Sequence, residues 1–177
     1  MRVLILVEKI YEDLELWYPK LRLEEAGHEA VLCGPEAGVE YPSKHGYPAR
    51  SDVAAGDVKA SDYDALVVPG GYSPDHMRRT PAMVALVKAF DRERKPIAAI
   101  CHGPWMLCSA RVVGGRRVTS FSSIKDDLEN AGARWEDAPV VVDGHIITSR
   151  TPKDLPVFTK ALLGALEQAP ARAAAAG

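Results

Sequence analysis

A cysteine and a histidine stand side by side in Ala99-Ile100-Cys101-His102-Gly103-Pro104. The pair can supply a thiolate nucleophile and a proton-transfer group, the parts needed for attack on an electrophilic carbonyl. An apolar run, Pro96 to Ile100, precedes them and reads as a buried strand. Trp105 to Ala110 follows and reads as a helix. Cys101 therefore sits on a strand-to-helix turn, the arrangement of a nucleophile elbow. There the unsatisfied N–H groups and positive end of the helix favour thiolate over thiol. Histidine adjacency alone does not fix the geometry, because an imidazole base needs hydrogen-bond reach and an orienting third group.

Two further segments offer matching chemistry. Gly70-Gly71 follows the apolar run Ala65 to Val68. Missing side chains there let a backbone N–H approach a reacting carbon and, with that of His102, form an oxyanion hole. Glu12, Asp13 and Glu15 open a helix. Acids are favoured there by the helix dipole. One of them reaching Cys101 would have to be protonated, with a raised pKa, to hydrogen-bond sulfur rather than repel it. Cys33, at a strand end, and Cys108, within a helix, read as structural. Cys101 and Cys108 lie about 10 Å apart along a helix axis, which argues against a disulfide between them.

The elements that must place these groups alternate. Strands are expected at Arg2 to Val7, His28 to Cys33, Ala65 to Val68, Pro96 to Ile100 and Val118 to Ser120. Val140 to Val142 and Ile146 to Ser149 flank a hairpin turn at Asp143-Gly144. Helices are expected at Asp13 to Ala26, Pro81 to Arg92, Ile124 to Ala131 and Lys153 to Gln168. The first carries Leu14, Trp17, Tyr18 and Leu21 on one face, is kinked by Pro19 and stops at Gly27. The last is capped by Thr151, with Pro152 in its first turn. Residues 34 to 60 read as turns with one short hairpin. The pattern is one α/β domain over residues 1–168, a doubly wound, mostly parallel sheet with helices on both faces, followed by an Ala-rich tail at 169–177 that reads as frayed. Ligands of such sheets sit at the strands' carboxyl ends, where all three motif segments fall.

Composition excludes several classes. The chain has 177 residues and a formal net charge of −2, with no long basic run, so nothing recommends nucleic acid. Val3 to Val7 is too short to span a bilayer or serve as a secretory segment. Three cysteines without a signal peptide suit a reducing cytoplasm. The five histidines show no zinc-ligand spacing, and no phosphate loop or dinucleotide fingerprint is present, so neither metal nor nucleotide cofactor is expected.

Taken together, A-I-C-H-G-P, L-V-V-P-G-G, Y-E-D-L-E-L-W-Y-P, K-H-G-Y at 44–47, S-I-K-D-D at 123–127 and T-S-R-T-P-K-D-L-P at 148–156 resemble the ThiJ/PfpI family, over Arg2 to about Leu166. The PfpI-type branch, described as intracellular proteases, general stress proteins and glyoxalase or deglycase enzymes, is the most similar. The resemblance implies a flavodoxin-like fold, similar to class I glutamine amidotransferase domains, and a homodimer that can assemble into a hexamer. It carries over Cys101 as nucleophile, His102 as its partner and Glu15 as the protonated acid. An acid from a neighbouring subunit would complete a triad, and the matching position is Asp75. The protease-type pattern has Glu there and often Tyr at the position of Phe121, so both are departures.

The leading expectation is a cysteine-dependent stress enzyme acting on reactive carbonyls or their protein adducts. Its catalytic groups are Cys101, His102, Asp75 and Glu15, with Gly70, Gly71, Glu12 and Phe121 around oxyanion and substrate. A PfpI-type peptidase or amidase uses the same parts, and a redox sensor acting through Cys101 oxidation is the non-enzymatic alternative. A glutaminase would need a downstream His-x-Glu, and His145 is followed by Ile146-Ile147.

Overall fold

Val3, Ile5 and Val7 face one side of the first strand, Leu4 and Leu6 the other, and all five are fully buried. A strand apolar on both faces belongs in the middle of a covered sheet, and the computed structural model, which describes residues 1–168, places it there. In chain order the elements are β1 (Arg2–Leu6), α1 (Asp13–Glu25), β2 (Glu29–Gly34), β3 (Glu40–Tyr41), β4 (Ala49–Arg50), β5 (Val53–Ala54), β6 (Ala65–Val68), α2 (Ser73–Met77) and α3 (Pro81–Arg92). They continue with β7 (Ile97–Ile100), α4 (Pro104–Ala110), β8 (Arg117–Val118), α5 (Lys125–Asn130), β9 (Arg134–Trp135), β10 (Val140–Asp143), β11 (Ile146–Ser149) and α6 (Leu155–Gln168).

Seven strands form the main sheet in the order β10-β11-β7-β6-β1-β2-β5, and every pairing is parallel except β10 with β11. Two cores result. Leu16 and Leu23 of α1 pack with Phe158, Leu162 and Leu166 of α6 on one face. Met83, Val87 and Phe90 of α3 pack with Met106 and Leu107 of α4 on the other. This is the α/β architecture expected, with β6 and β7 paired from Leu66↔Ile97 to Val68↔Ala99, so that their carboxyl ends finish together. No helix among the described residues is long and apolar enough to cross a membrane.

Several local expectations are corrected. The buried residues of α1 are Glu15, Leu16, Pro19 and Leu23, whereas Leu14 and Leu21 are 57% and 59% exposed. The helix offers two apolar rows, and docking against the sheet selected the one that also carries Glu15. α1 continues as helix on both sides of Pro19, as expected. Thr151 stands at the start of the last helical segment, but its side chain makes no capping bond; the Asp154 N–H donates to the Thr151 carbonyl instead. α2 and the two-residue strands β5 and β9 were not anticipated, and β8 ends at Val118, two residues short of the expected strand. The Ala-rich tail lies outside the described residues.

Candidate active site

The β7–α4 turn holds Cys101 at φ 61°, a left-handed conformation that costs an ordinary side chain about 1 kcal/mol or more. Neighbouring backbone over-determines it. The Cys101 N–H donates to the Ser149 carbonyl at 3.0 Å, and its carbonyl accepts the Phe121 N–H at 2.9 Å. The nucleophile is thus tied to the ends of β11 and of the segment before α5. The turn leaves Cys101 only 8% exposed, at the base of a cavity of about 380 Å³ that Glu12, Lys44, Gly71, His102, Phe121 and Thr151 help to line.

Glu15 lies beneath this cavity, fully buried, one turn into α1. Its Oε2 accepts the Gly70 N–H at 2.8 Å. Its Oε1 has no nitrogen or oxygen partner among the described residues; the carboxyl is coupled to the Cys101 thiol by a hydrogen bond and by charge. Burial raises the Glu15 pKa from 4.5 to about 8, against the Gly70 N–H, which lowers it; the Glu12 charge raises it further. The acid is therefore neutral at pH 7 and can donate to sulfur, the protonation state the sequence argument required.

Burial and the Glu15 charge push the Cys101 thiol up, while the Gly71 and His102 amides pull it down. This corrects the expectation that the helix start favours thiolate. α4 begins three residues beyond the cysteine and is only seven residues long, and burial of the thiol outweighs what it offers. The two groups act as a pair sharing protons, so a thiolate forms with Glu15 protonated, when the repulsion is gone and the Glu15 O–H faces sulfur.

The double glycine divides its work. Gly70 gives its N–H to Glu15, not to the cavity, which removes it from the oxyanion set. Gly71 directs its N–H at Cys101. A β-carbon at Gly71 would meet the Glu12 nitrogen at 2.4 Å and the Ile10 oxygen at 2.6 Å, at φ +70°, so only glycine fits.

His102 Nδ1 lies 3.3 Å from Cys101 Sγ, within proton-transfer reach. Phe121 stacks on its ring at 5.1 Å and 25°, and Trp105 meets it edge-on at 5.1 Å. Burial, then the Lys44 charge, hold the His102 pKa below its ordinary value, which keeps the imidazole neutral and able to accept a proton. Its Nε2 lies 3.1 Å from Ser123 Oγ, a contact the sequence reading missed. The signal was two serines directly after the expected pocket residue Phe121.

Glu12 is on the cavity wall as expected, where Oε2 accepts from Lys44 Nζ at 3.1 Å. Asp75 is not in the cavity. It sits on α2 paired with Arg79, and within one chain the structure does not bring it to His102. Glu12, Asp13 and His45 have ligand atoms within 4.8 Å of one another, the one set that could hold a cation among the described residues. Its acceptors are already taken by Lys44, Ser43 and the His45 and Tyr47 amides. The three cysteines are free.

The chain as a whole finds its match in known proteins. The family described as DJ-1/PfpI matches residues 1–165. The chain belongs to the DJ-1/PfpI family. Deglycase PfpI of Pyrococcus furiosus is 44% identical over 155 residues, 88% of this chain and 93% of that one. The putative cysteine protease YraA of Bacillus subtilis is 44% identical over 166 residues, 94% and 98% of the two chains. A two-domain protein of Anabaena variabilis with DJ-1/ThiJ/PfpI-like and ferritin-like domains superposes with a TM-score of 0.93 at 39% identity, covering all of this chain and 53% of that one. The deglycase and putative cysteine protease names among these DJ-1/PfpI relatives point to enzymatic activity in the family.

Proposed function

We propose that the protein is a cysteine-dependent enzyme of reactive-carbonyl defence, acting on 2-oxoaldehydes such as methylglyoxal or on their adducts with protein amines. The observation that carries this reading is the neutral, buried Glu15 coupled to a sulfur that lies 3.3 Å from a neutral imidazole. Such a site supplies a nucleophile and two proton-transfer groups in one small cavity.

The chemistry follows from that set. His102 Nδ1 takes the Cys101 proton and the thiolate adds to the aldehyde carbon, giving a hemithioacetal; the Gly71 and His102 amides stabilise the oxyanion. In an amine adduct the protonated amine leaves as the carbon–sulfur bond forms. A proton then moves from the sulfur-bearing carbon to its neighbour through an enediol, carried by Glu15 or His102, and leaves a 2-hydroxyacyl thioester. Water hydrolyses the thioester to the 2-hydroxy acid and frees Cys101. The name of the Pyrococcus furiosus relative, a deglycase, supports amine adducts as substrates.

Amide hydrolysis is the second reading, supported by the name of YraA. It requires a strong acid–base at His102 to protonate an amine leaving group, and the acid matched to that task, Asp75, is engaged with Arg79. In the homodimer or hexamer implied by the resemblance, Asp75 of one copy would have to exchange Arg79 for the imidazole of another. Exposed Leu14 and Leu21 on α1 support self-association. Oxidation of Cys101 as a sensor remains a reading of the same thiol. Lactate formation from methylglyoxal, measured beside cleavage of a fluorogenic peptide, separates the first two. Lactate production lost in Cys101→Ser supports the proposal, and peptide cleavage without it overturns it.

A further inference from the structure

A general base needs a third group, and none of the expected ones is in place within the chain. Asp75 is bound to Arg79 on α2. The polar atom that does face His102 Nε2 is the Ser123 hydroxyl, at 3.1 Å. Ser123 is not placed by chance. It lies in the turn Ser122–Ile124, whose preceding residue, Phe121, donates its N–H to the Cys101 carbonyl at 2.9 Å. The buried Ile124 anchors the other end. The backbone that carries the nucleophile therefore also fixes the hydroxyl.

The imidazole is already clamped. Phe121 covers its face, Trp105 meets it edge-on, and Nδ1 points at sulfur. Ring position thus needs no further polar contact. What the clamp leaves open is which nitrogen carries the proton, since the two tautomers have the same shape. We propose that Ser123 is the positioning residue of His102, its hydroxyl accepting from Nε2–H and so leaving the Nδ1 lone pair facing the Cys101 thiol. The catalytic meaning of this assignment rests on the reading above; the assignment itself does not.

The proton balance is simple. The Cys101 S–H bond breaks, Nδ1 gains that proton, and the imidazolium keeps Nε2–H donated to Ser123 throughout. The hydroxyl neither gains nor loses a proton. A carboxylate at this place would stabilise the imidazolium strongly, whereas a neutral hydroxyl leaves histidine a weak base suited to returning its proton at once. The charged and titratable groups around the same cavity are Glu12 just before α1, Glu15 within it, Lys44, Tyr72 after the double glycine, and Cys101 itself. Of these, Lys44 opposes the imidazolium.

Nitrogen-15 NMR of histidine-labelled protein tests the assignment without any substrate. The wild type should show His102 as the Nε2–H tautomer; Ser123→Ala should shift it toward a tautomer mixture, Ser123→Thr should restore the wild-type pattern, and Ser123→Asp should raise its pKa by about one unit or more. In turnover, Ser123→Ala should lower kcat about tenfold with KM within twofold, and threonine should rescue it. An unchanged His102 tautomer in Ser123→Ala overturns the proposal. So do His102 shifts that respond to Asp75→Asn but not to Ser123→Ala. A wild type inactive on carbonyls would refute the proposed function and leave the NMR result to decide Ser123.

Discussion

Glu15→Gln is the substitution whose effect the structure specifies most fully. The wild-type carboxyl is buried with its folded pKa raised from 4.5 to about 8. The folded protein thus prefers the neutral acid. Its stability contribution is fully present below pH 4.5, declines as pH rises and the unfolded chain ionises first, and is gone above about pH 8. At about 1.36 kcal/mol per pKa unit, the span is up to roughly 4 to 5 kcal/mol. Glutamine has the same shape, keeps a carbonyl for the Gly70 N–H, presents its NH₂ toward sulfur, and does not titrate. Urea unfolding followed by circular dichroism between pH 5 and 8.5 should show the wild type losing a few kcal/mol that the glutamine variant keeps. Repeating the comparison with Cys101→Ser in both proteins removes the thiol's share of the coupled titration. Stability curves that run parallel for acid and amide would refute the claim that Glu15 is held neutral by burial.

Other consequences follow from the same geometry. Gly71→Ala must relieve backbone contacts near 2.4 Å at a positive φ, so it should cost about 2 to 4 kcal/mol in stability by thermal unfolding. By displacing the Gly71 amide it should also cut kcat by about 100-fold or more. Phe158→Ala, which empties a fully buried ring site between α6 and the sheet, should cost about 3 to 5 kcal/mol in urea with the site's turnover unchanged per folded molecule. A Leu14→Glu, Leu21→Glu double variant changes only exposed side chains and should shift sedimentation toward monomer; an unchanged profile would remove α1 from the proposed interface. Mild peroxide should oxidise Cys101, which opens into the cavity, ahead of the fully buried Cys33, and peptide mass spectrometry locates the product.

The strands most readily found in the sequence were those with strong internal patterns. β1, β6 and β7 are uninterrupted apolar runs, α3 has its residues at helical spacing after Pro81, and Asp143-Gly144 announces the β10–β11 turn. β5 and β9 are two residues each and exist because a neighbouring strand offers partners, which no local pattern records. α2, Ser-Pro-Asp-His-Met, is polar and only five residues long. In α1 the row Leu14–Trp17–Tyr18–Leu21 is the more apolar by sequence, yet packing against the sheet buries Leu16, Pro19 and Leu23. The site follows the same logic. Cys101, Gly71 and Glu15 sit at strand ends and a helix start that the pattern exposes, and they do converge. Gly70 was misassigned because a glycine pair does not reveal which amide is already taken. Ser123 was missed because its contact with His102 depends on a turn fixed by the Phe121–Cys101 backbone bond, a tertiary constraint.

The central claim is that one thiol, held by a neutral acid and a neutral imidazole, turns a reactive carbonyl into a hydroxy acid. Lactate released from a methylglyoxal-treated Nα-acetyl-lysine substrate, with recovery of the unmodified amine side chain, tests it directly in wild type and Cys101→Ala. The account predicts both products from the wild type and neither above background from the variant. Equal release by the two proteins, or none by the wild type, would contradict it.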